Sequence, residues 1–167
     1  MFKKIALILM LIAPMSVFAQ KFGHVKSQEI VEFMPDYTKA QNDIETLRKQ
    51  FMDEITRSRD DFNKKFAEYQ QEQANLTQTI RERRQNELAQ LQEKVMQIEQ
   101  DAQAQMEKSW REMMEPIFKK IDDAIKAIGQ EGGYVYIFDL NTTNIPYVSE
   151  TLSTDITDAV KKKLGIQ

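Results

Sequence analysis

Cysteine is absent from the 167 residues, so no disulfide or thiolate metal site can support this chain. Small exported proteins often depend on disulfides; here packing or self-association must take their place. Histidine occurs once, at His24. With one histidine and no cysteine, no Cys–His pair exists, and no Ser–His–Asp arrangement is apparent from the spacing. Neither a phosphate-cradling glycine loop nor a metal-ligand spacing is present. The sequence therefore reads as a non-enzyme with no cofactor and no metal. Glycine and proline are also scarce, 5 and 4 in all, and the 80 residues between Pro35 and Pro116 contain neither. Aromatic residues make up 9 %, which suits an elongated helical object better than a ball. Finally, there is no excess of positive charge. The whole chain carries 23 Lys+Arg against 26 Asp+Glu, which argues against a dedicated nucleic-acid binder.

What is present starts with "MFKKIALILMLIAPMSVFAQ". A short basic start (Lys3, Lys4), an apolar stretch from Ile5 to Ala13 and small residues up to Ala19 form the pattern of a secretory signal peptide over residues 1–19. The apolar stretch is shorter than the roughly 20 residues that a spanning helix needs. No cysteine follows Ala19, so the common bacterial lipid-anchor signal is missing. The expected product is an exported, soluble chain from Gln20 to Gln167. Without Lys3 and Lys4 its balance is 21 against 26, a net −5.

Strong helix formers fill the long interval without glycine or proline. Apolar residues recur at alternating threes and fours: Tyr37, Ala40, Ile44, Leu47, Phe51 and Ile55, then Phe62, Phe66, Tyr69, Leu76 and Ile80. Beyond them come Leu88, Leu91, Val95, Ile98 and Ala102, followed by Met106, Trp110, Met113, Ile117, Ile121 and Ile128. This is the narrow seam of a coiled coil, with shifts of four that relax the supercoil. Glu45–Lys49, Asp53–Arg57, Asp61–Lys65 and Glu107–Arg111 are spaced to pair along the exposed face.

The ends differ. "KFGHV" (Lys21–Val25) predicts a short strand, and "SQEIVEF" a short helix that stops before Pro35. Pro35 or Asp36 opens the long helical run, and Gly129, Gly132 and Gly133 end it. "YVYIFD" (Tyr134–Asp139) carries the clearest strand signal in the chain. "YVS" (Tyr147–Ser149) is expected as a second strand after a turn, and "STDITDAVKKKLG" as a closing amphipathic helix. Ser153 or Thr154 would cap that helix, with Asp155 in its first turn and Lys161–Lys163 in its last.

A lone five-residue strand needs partners. The best partner for Phe22–Val25 is Tyr134–Phe138, and their pairing requires the helical run to go out and return. The midpoint falls in "YQQEQANLTQTIRERRQNE", where Asn75, Thr77 and Thr79 are poorer helix formers. The expected fold is thus mainly α with a small β body: a long antiparallel helical hairpin, its apex at Ala74–Thr79, on a short-stranded base. The base would comprise residues 20–50 and 111–167, and the arm residues 51–110. One unbroken helix is the alternative, because no glycine or proline marks the turn.

The order of a signal peptide, a short strand, a helical excursion and "GGYVYIFDLNTTNIPYVSETLSTDITDAVKKKL" (Gly132–Leu164) resembles the Skp/OmpH family of periplasmic chaperones. The resemblance implies a homotrimer whose strands form the body. Three arms would then surround a cavity that holds unfolded outer-membrane proteins without nucleotide. Phe22, Val25, Tyr134, Tyr136 and Phe138 would belong to the body and its subunit contact. Candidate client contacts on the arms are Phe51, Phe62, Phe66, Tyr69, Met96 and Met106, each of which, except Met96, also fits the helical seam. Methionines suit a surface that must accept many partners. Well-known members are strongly basic overall, with positive arm tips. Here Lys64, Lys65, Arg81, Arg83 and Arg84 face four glutamates over residues 63–87, so binding to lipopolysaccharide or an anionic membrane surface is not carried over. A basic cluster on a helix is, besides, most often a solvated face. The rival reading is an exported coiled-coil spacer or adaptor that binds one defined envelope partner.

Overall fold

The computed structural model describes residues 20–166; the expected signal peptide lies outside them. The elements are β1 (Lys21–Val25), α1 (Ser27–Val31), α2 (Pro35–Glu72), one 3-10 turn (Gln73–Asn75), α3 (Gln78–Gly132), β2 (Tyr134–Asp139), β3 (Ser153–Asp155) and α4 (Thr157–Leu164). The chain does double back. Pro35 opens α2 as its first residue, where a missing N–H costs nothing. The turn falls within the expected apex: Leu76 and Thr77 are extended, and the Leu76 carbonyl accepts from the Arg81 guanidinium at 3.3 Å. At 1.5 Å per residue the 38 residues of α2 extend ~57 Å.

α3 runs unbroken for 55 residues and contains both Pro116 and Gly129. Pro116 does not end the helix; it removes one donor, so the carbonyl one turn earlier loses its partner. The stop comes at Gly133, whose φ of 65° is the left-handed cap that glycine adopts without strain.

β1 is the central strand of a parallel sheet ordered β2-β1-β3. It pairs with β2 in the register Phe22↔Tyr136 and His24↔Phe138, as expected of that partner. The second partner differs from expectation. Tyr147–Ser149 forms no strand, and the third strand is Ser153–Asp155. The residues expected to cap α4 and open it are therefore sheet residues, and α4 begins at Thr157. A short polar segment becomes a strand here because β1 supplies its partners. Ser153 Oγ lies 2.8 Å from His24 Nδ1, and Asp155 Oδ2 lies 3.6 Å from His24 Nε2. Asp155 also accepts from the Thr157 N–H at 2.9 Å, so it serves the start of α4 from outside the helix.

One sheet face is covered. Val25, Ile30, Val31, Ile117, Ile121, Ile156 and Val160 are buried together between β1 and the helices α1, α3 and α4. A Cβ at Gly23, in the centre of the sheet, would stand 3.1 Å from the Tyr134 ring and 3.2 Å from Ile137, so a larger residue there requires those side chains to shift. The core continues a short way up the hairpin through Ala40, Ile44 and Met114.

Asp139, at the end of β2, ties the two halves of the body together. Its carboxylate accepts from the Ser27 N–H at 3.2 Å, the Ser27 hydroxyl, the Asn141 N–H at 3.1 Å and the Thr142 hydroxyl at 3.0 Å. Asn141 Oδ1 in turn accepts from the Gln28 N–H at 3.1 Å, so a distant loop satisfies the open N-terminus of α1. Burial alone would raise the Asp139 carboxyl. The donors outweigh it, with the Ser27 hydroxyl first, and hold its pKa below the ordinary value. A carboxyl depressed by folding stabilises the fold above its unfolded pKa and loses that stabilisation as pH falls through the folded value. Asp139→Ala is therefore expected to cost about 1–2 kcal/mol at neutral pH, the scale of a lost cap. Urea unfolding of both proteins should show the gap at pH 7 and show it closing well below pH 4.

Candidate functional site

Two surfaces remain for function: the uncovered face of the sheet and the flanks of the arm. On the sheet, Phe22, Tyr136 and Phe138 share the face opposite the core. Tyr136 stacks between the other two, with ring centroids 6.4 Å from Phe22 and 5.9 Å from Phe138. The β2–β3 connection arches over part of this face and leaves a concavity of about 400 Å3, lined by Phe22, Phe138, Ile145, Val148 and Leu152. Tyr147 and Leu152 are almost 80 % exposed. β2 is an edge strand, so its outer hydrogen-bonding groups have no neighbouring strand among the described residues. Two residues expected at a subunit contact are not on this surface. Val25 is 1 % exposed and belongs to the chain's own core, and Tyr134 packs over Gly23 and against that core. Alternation along β1 turns Val25 away from Phe22. Tyr134 and Tyr136 would share a face by alternation alone, but the register shift between Lys21 and Phe22, where β2 carries an extra residue, turns Tyr134 to the core side.

The same face holds a serine, the histidine and an aspartate that the sequence did not bring together: Ser153, His24 and Asp155. Their arrangement ties β1 to β3. Asp155 is shared with Thr157 and, at 4.0 Å, with Lys26, and the Ser153 N–H already donates to the Ser149 carbonyl at 2.9 Å. Burial works against the charge of Asp155; the Thr157 hydroxyl and N–H, His24 and Lys26 keep its pKa lowered.

On the arm, the two helices meet along one seam. Phe51, Phe62 and Tyr69 are half-buried in it, and Met106 packs against the body's core. Phe66 and Met96 lie outside it and are exposed, as are Met52, Trp110 and Phe118. Trp110 was expected in the seam, but the buried position is Ser109, one residue earlier. The spacing explains the slip: from Met106 the seam advances by three and then four to Met113. Trp110 instead tilts against Phe118, centroids 6.4 Å apart, beside a hollow that also meets Tyr37 and Met114.

Near the tip the seam becomes polar. Lys65 reaches across to Glu87 at 3.1 Å, and the Gln85 amide donates to the Tyr69 hydroxyl at 2.8 Å. The Glu87 hydrogen bond comes first in raising the Lys65 pKa, and the Lys65 hydrogen bond first in lowering that of Glu87. Of the other tip cations, Arg84 is 3.9 Å from Glu87, and Arg81 caps the turn. Of the expected pairs along the helices, Glu107–Arg111 forms at 2.7 Å. Arg57 instead donates to the Asp53 carbonyl, and Arg48 takes Glu45.

A thin two-helix arm raised on a small parallel sheet, with an aromatic sheet face left uncovered, defines a helical-arm class of fold. The chain belongs to the OmpH-like outer membrane protein family, whose model matches residues 21–164. An OmpH-like protein of Caulobacter crescentus CB15, whose name assigns it as an outer membrane chaperone, has the same fold with a TM-score of 0.69. The two chains share 16 % identity over 87 % of this one and 83 % of the other. No curated protein matches this sequence. Among the described residues no helix is long and apolar enough to cross a membrane.

Proposed function

We propose that this protein is an ATP-independent holdase of the periplasm, binding unfolded outer-membrane proteins between the helical arms of a homotrimer. One observation carries the reading. Met52, Phe66, Met96, Trp110 and Phe118 are 41–57 % exposed along an arm that has no interior in which to hide them. Apolar side chains arrayed along a slender support offer surface that a partner can cover. Contacts of this kind are individually weak, and several arms acting on one client add them into firm retention. Release requires no fuel; it follows when the client folds or inserts elsewhere.

The uncovered sheet face supports self-association. Phe22, Tyr136, Phe138 and Leu152, beside a free strand edge, suit contact with further copies of the chain. Tyr136→Asp places a charge in the middle of the stacked aromatics and is expected to dissociate the oligomer, read as a fall in mass by sedimentation. An unchanged mass would remove this face from the assembly.

The test of the function is suppression of aggregation. At about one client per trimer, the protein should keep several unrelated urea-unfolded β-barrel proteins soluble on dilution. A spacer or adaptor for one defined partner would leave all of them to aggregate, and that result sinks the holdase reading. Removing Phe62–Val95 and closing the shortened hairpin should leave the body folded by circular dichroism and abolish the protection.

A further inference from the structure

The exposed apolar residues of the arm share a sequence position. Each follows a seam residue by one: Met52 after Phe51, Phe66 after Lys65, Met96 after Val95, Trp110 after Ser109 and Phe118 after Ile117. One residue is a turn of about 100° around a helix. Since α2 and α3 run in opposite directions, the same forward step carries both helices to the same side of the hairpin. Contacts confirm the geometry. Arg59 and Glu99, each one step past the seam, meet across the helices at 2.7 Å, and Gln41, Glu45 and Arg48 line one hollow with Trp110. Residues one step before the seam meet on the other side, where Asp36 pairs with Lys120. On that side every residue preceding a seam position is polar, from Lys39 to Glu68 and from Arg83 to Lys108.

We infer that the arm is two-faced, and that the face one step past the seam is the track along which the client chain lies; this rests on the holdase reading above. The occupant follows from spacing and charge. The cross-arm pairs place Phe118, Trp110 and Met96 level with the neighbourhoods of Thr38, Thr46 and Asp60 on α2. With Met52 and Phe66 they make a ladder whose rungs are about 10 Å apart at 1.5 Å per residue. A second helix needs two apolar contacts per seven residues to form a seam, and this face offers about one. An extended chain advances about 3.3 Å per residue, so each rung meets about every third residue of an unfolded polypeptide. The charges between the rungs answer one another, Arg59 with Glu99 and Arg48 with Glu45, so the track draws on apolar content rather than on client charge.

The experiment places a photo-crosslinking amino acid at one position at a time in the full chain, loaded with a urea-unfolded β-barrel protein. One set is Met52, Phe66, Met96 and Trp110; the other is Arg57, Lys64, Lys94 and Lys108 on the polar side. Crosslinks to the client should come from the first set at about tenfold or more the yield of the second, because apolar contact is lost on a fully solvated face. In parallel, Phe66→Gln with Trp110→Gln should weaken client affinity about tenfold, with helicity and mass unchanged. Equal yields from both sets, with the client retained, overturn the two-faced arm and leave the holdase reading standing. No retention by the unsubstituted protein overturns both. Crosslinks between arms in the absence of client, together with loss of a larger assembly in the double variant, would assign the track to a second copy of this chain and overturn its assignment to clients.

Discussion

The central position of β1 in the sheet is the constraint on which the rest of the molecule depends. A five-residue strand beginning at Lys21 has no neighbour in sequence to pair with, and both of its partners lie more than a hundred residues away. Closing so long a loop of flexible chain would cost about 4 kcal/mol beyond the constant term. The helical hairpin removes much of that cost, because its contacts grow outward from the apex. Tyr69 meets Gln85 across 16 residues and Lys65 meets Glu87 across 22, so each step closes only a short additional loop. With the hairpin formed, the two ends of the excursion lie side by side. The arm is therefore part of how the sheet forms as well as something the sheet carries.

The same economy explains why the arm remains open to partners. Two helices share one seam, and a seam covers only one stripe of each. At the base, that stripe joins the body's core through Ala40, Ile44, Met114 and Ile117. Toward the tip, Ser58, Lys65, Arg84 and Glu87 occupy seam positions, and the Lys65–Glu87 pair is exposed enough that its net contribution is small. Local stability should thus decline from base to tip. That gradient leaves the tip the most pliable part of the arm.

Much of this fold could be read from the sequence, and the exceptions have physical causes. β1, the opening of α2 at Pro35, the apex and β2 fall where residue pattern places them, because each carries a strong local signal: a breaker, a run of β-branched and aromatic residues, or a change of period. β3 does not. "STD" has the composition of a helix cap, and it becomes a strand only because His24 and the backbone of β1 present partners to it; the apolar "YVS" is drawn instead into the arch over the sheet face. Trp110 shows the complementary error. Matching apolar residues to a period favours the tryptophan over Ser109, although the serine is the buried residue and the indole is left outside. For the sheet face, sequence identified the aromatic residues but not their sides. Val25 and Tyr134 went to the core because register, rather than composition, decides which face a strand residue takes.

Misplacing Trp110 also hid the feature that distinguishes this arm. An apolar residue counted into the seam is accounted for, whereas one a single step away must be explained, and a rotation of about 100° separates the two. Phe66 behaves likewise, displaced from the seam by Lys65. A charged residue at a seam position, reaching across to Glu87, costs the hairpin stability, and it also fixes which side of α2 the neighbouring phenylalanine presents. The polar seam residues and the exposed aromatics are thus two results of one register. A hairpin with leucine at 65 and polar groups at 66 and 110 would bind its own halves more tightly. It would also have correspondingly less apolar surface to offer another chain.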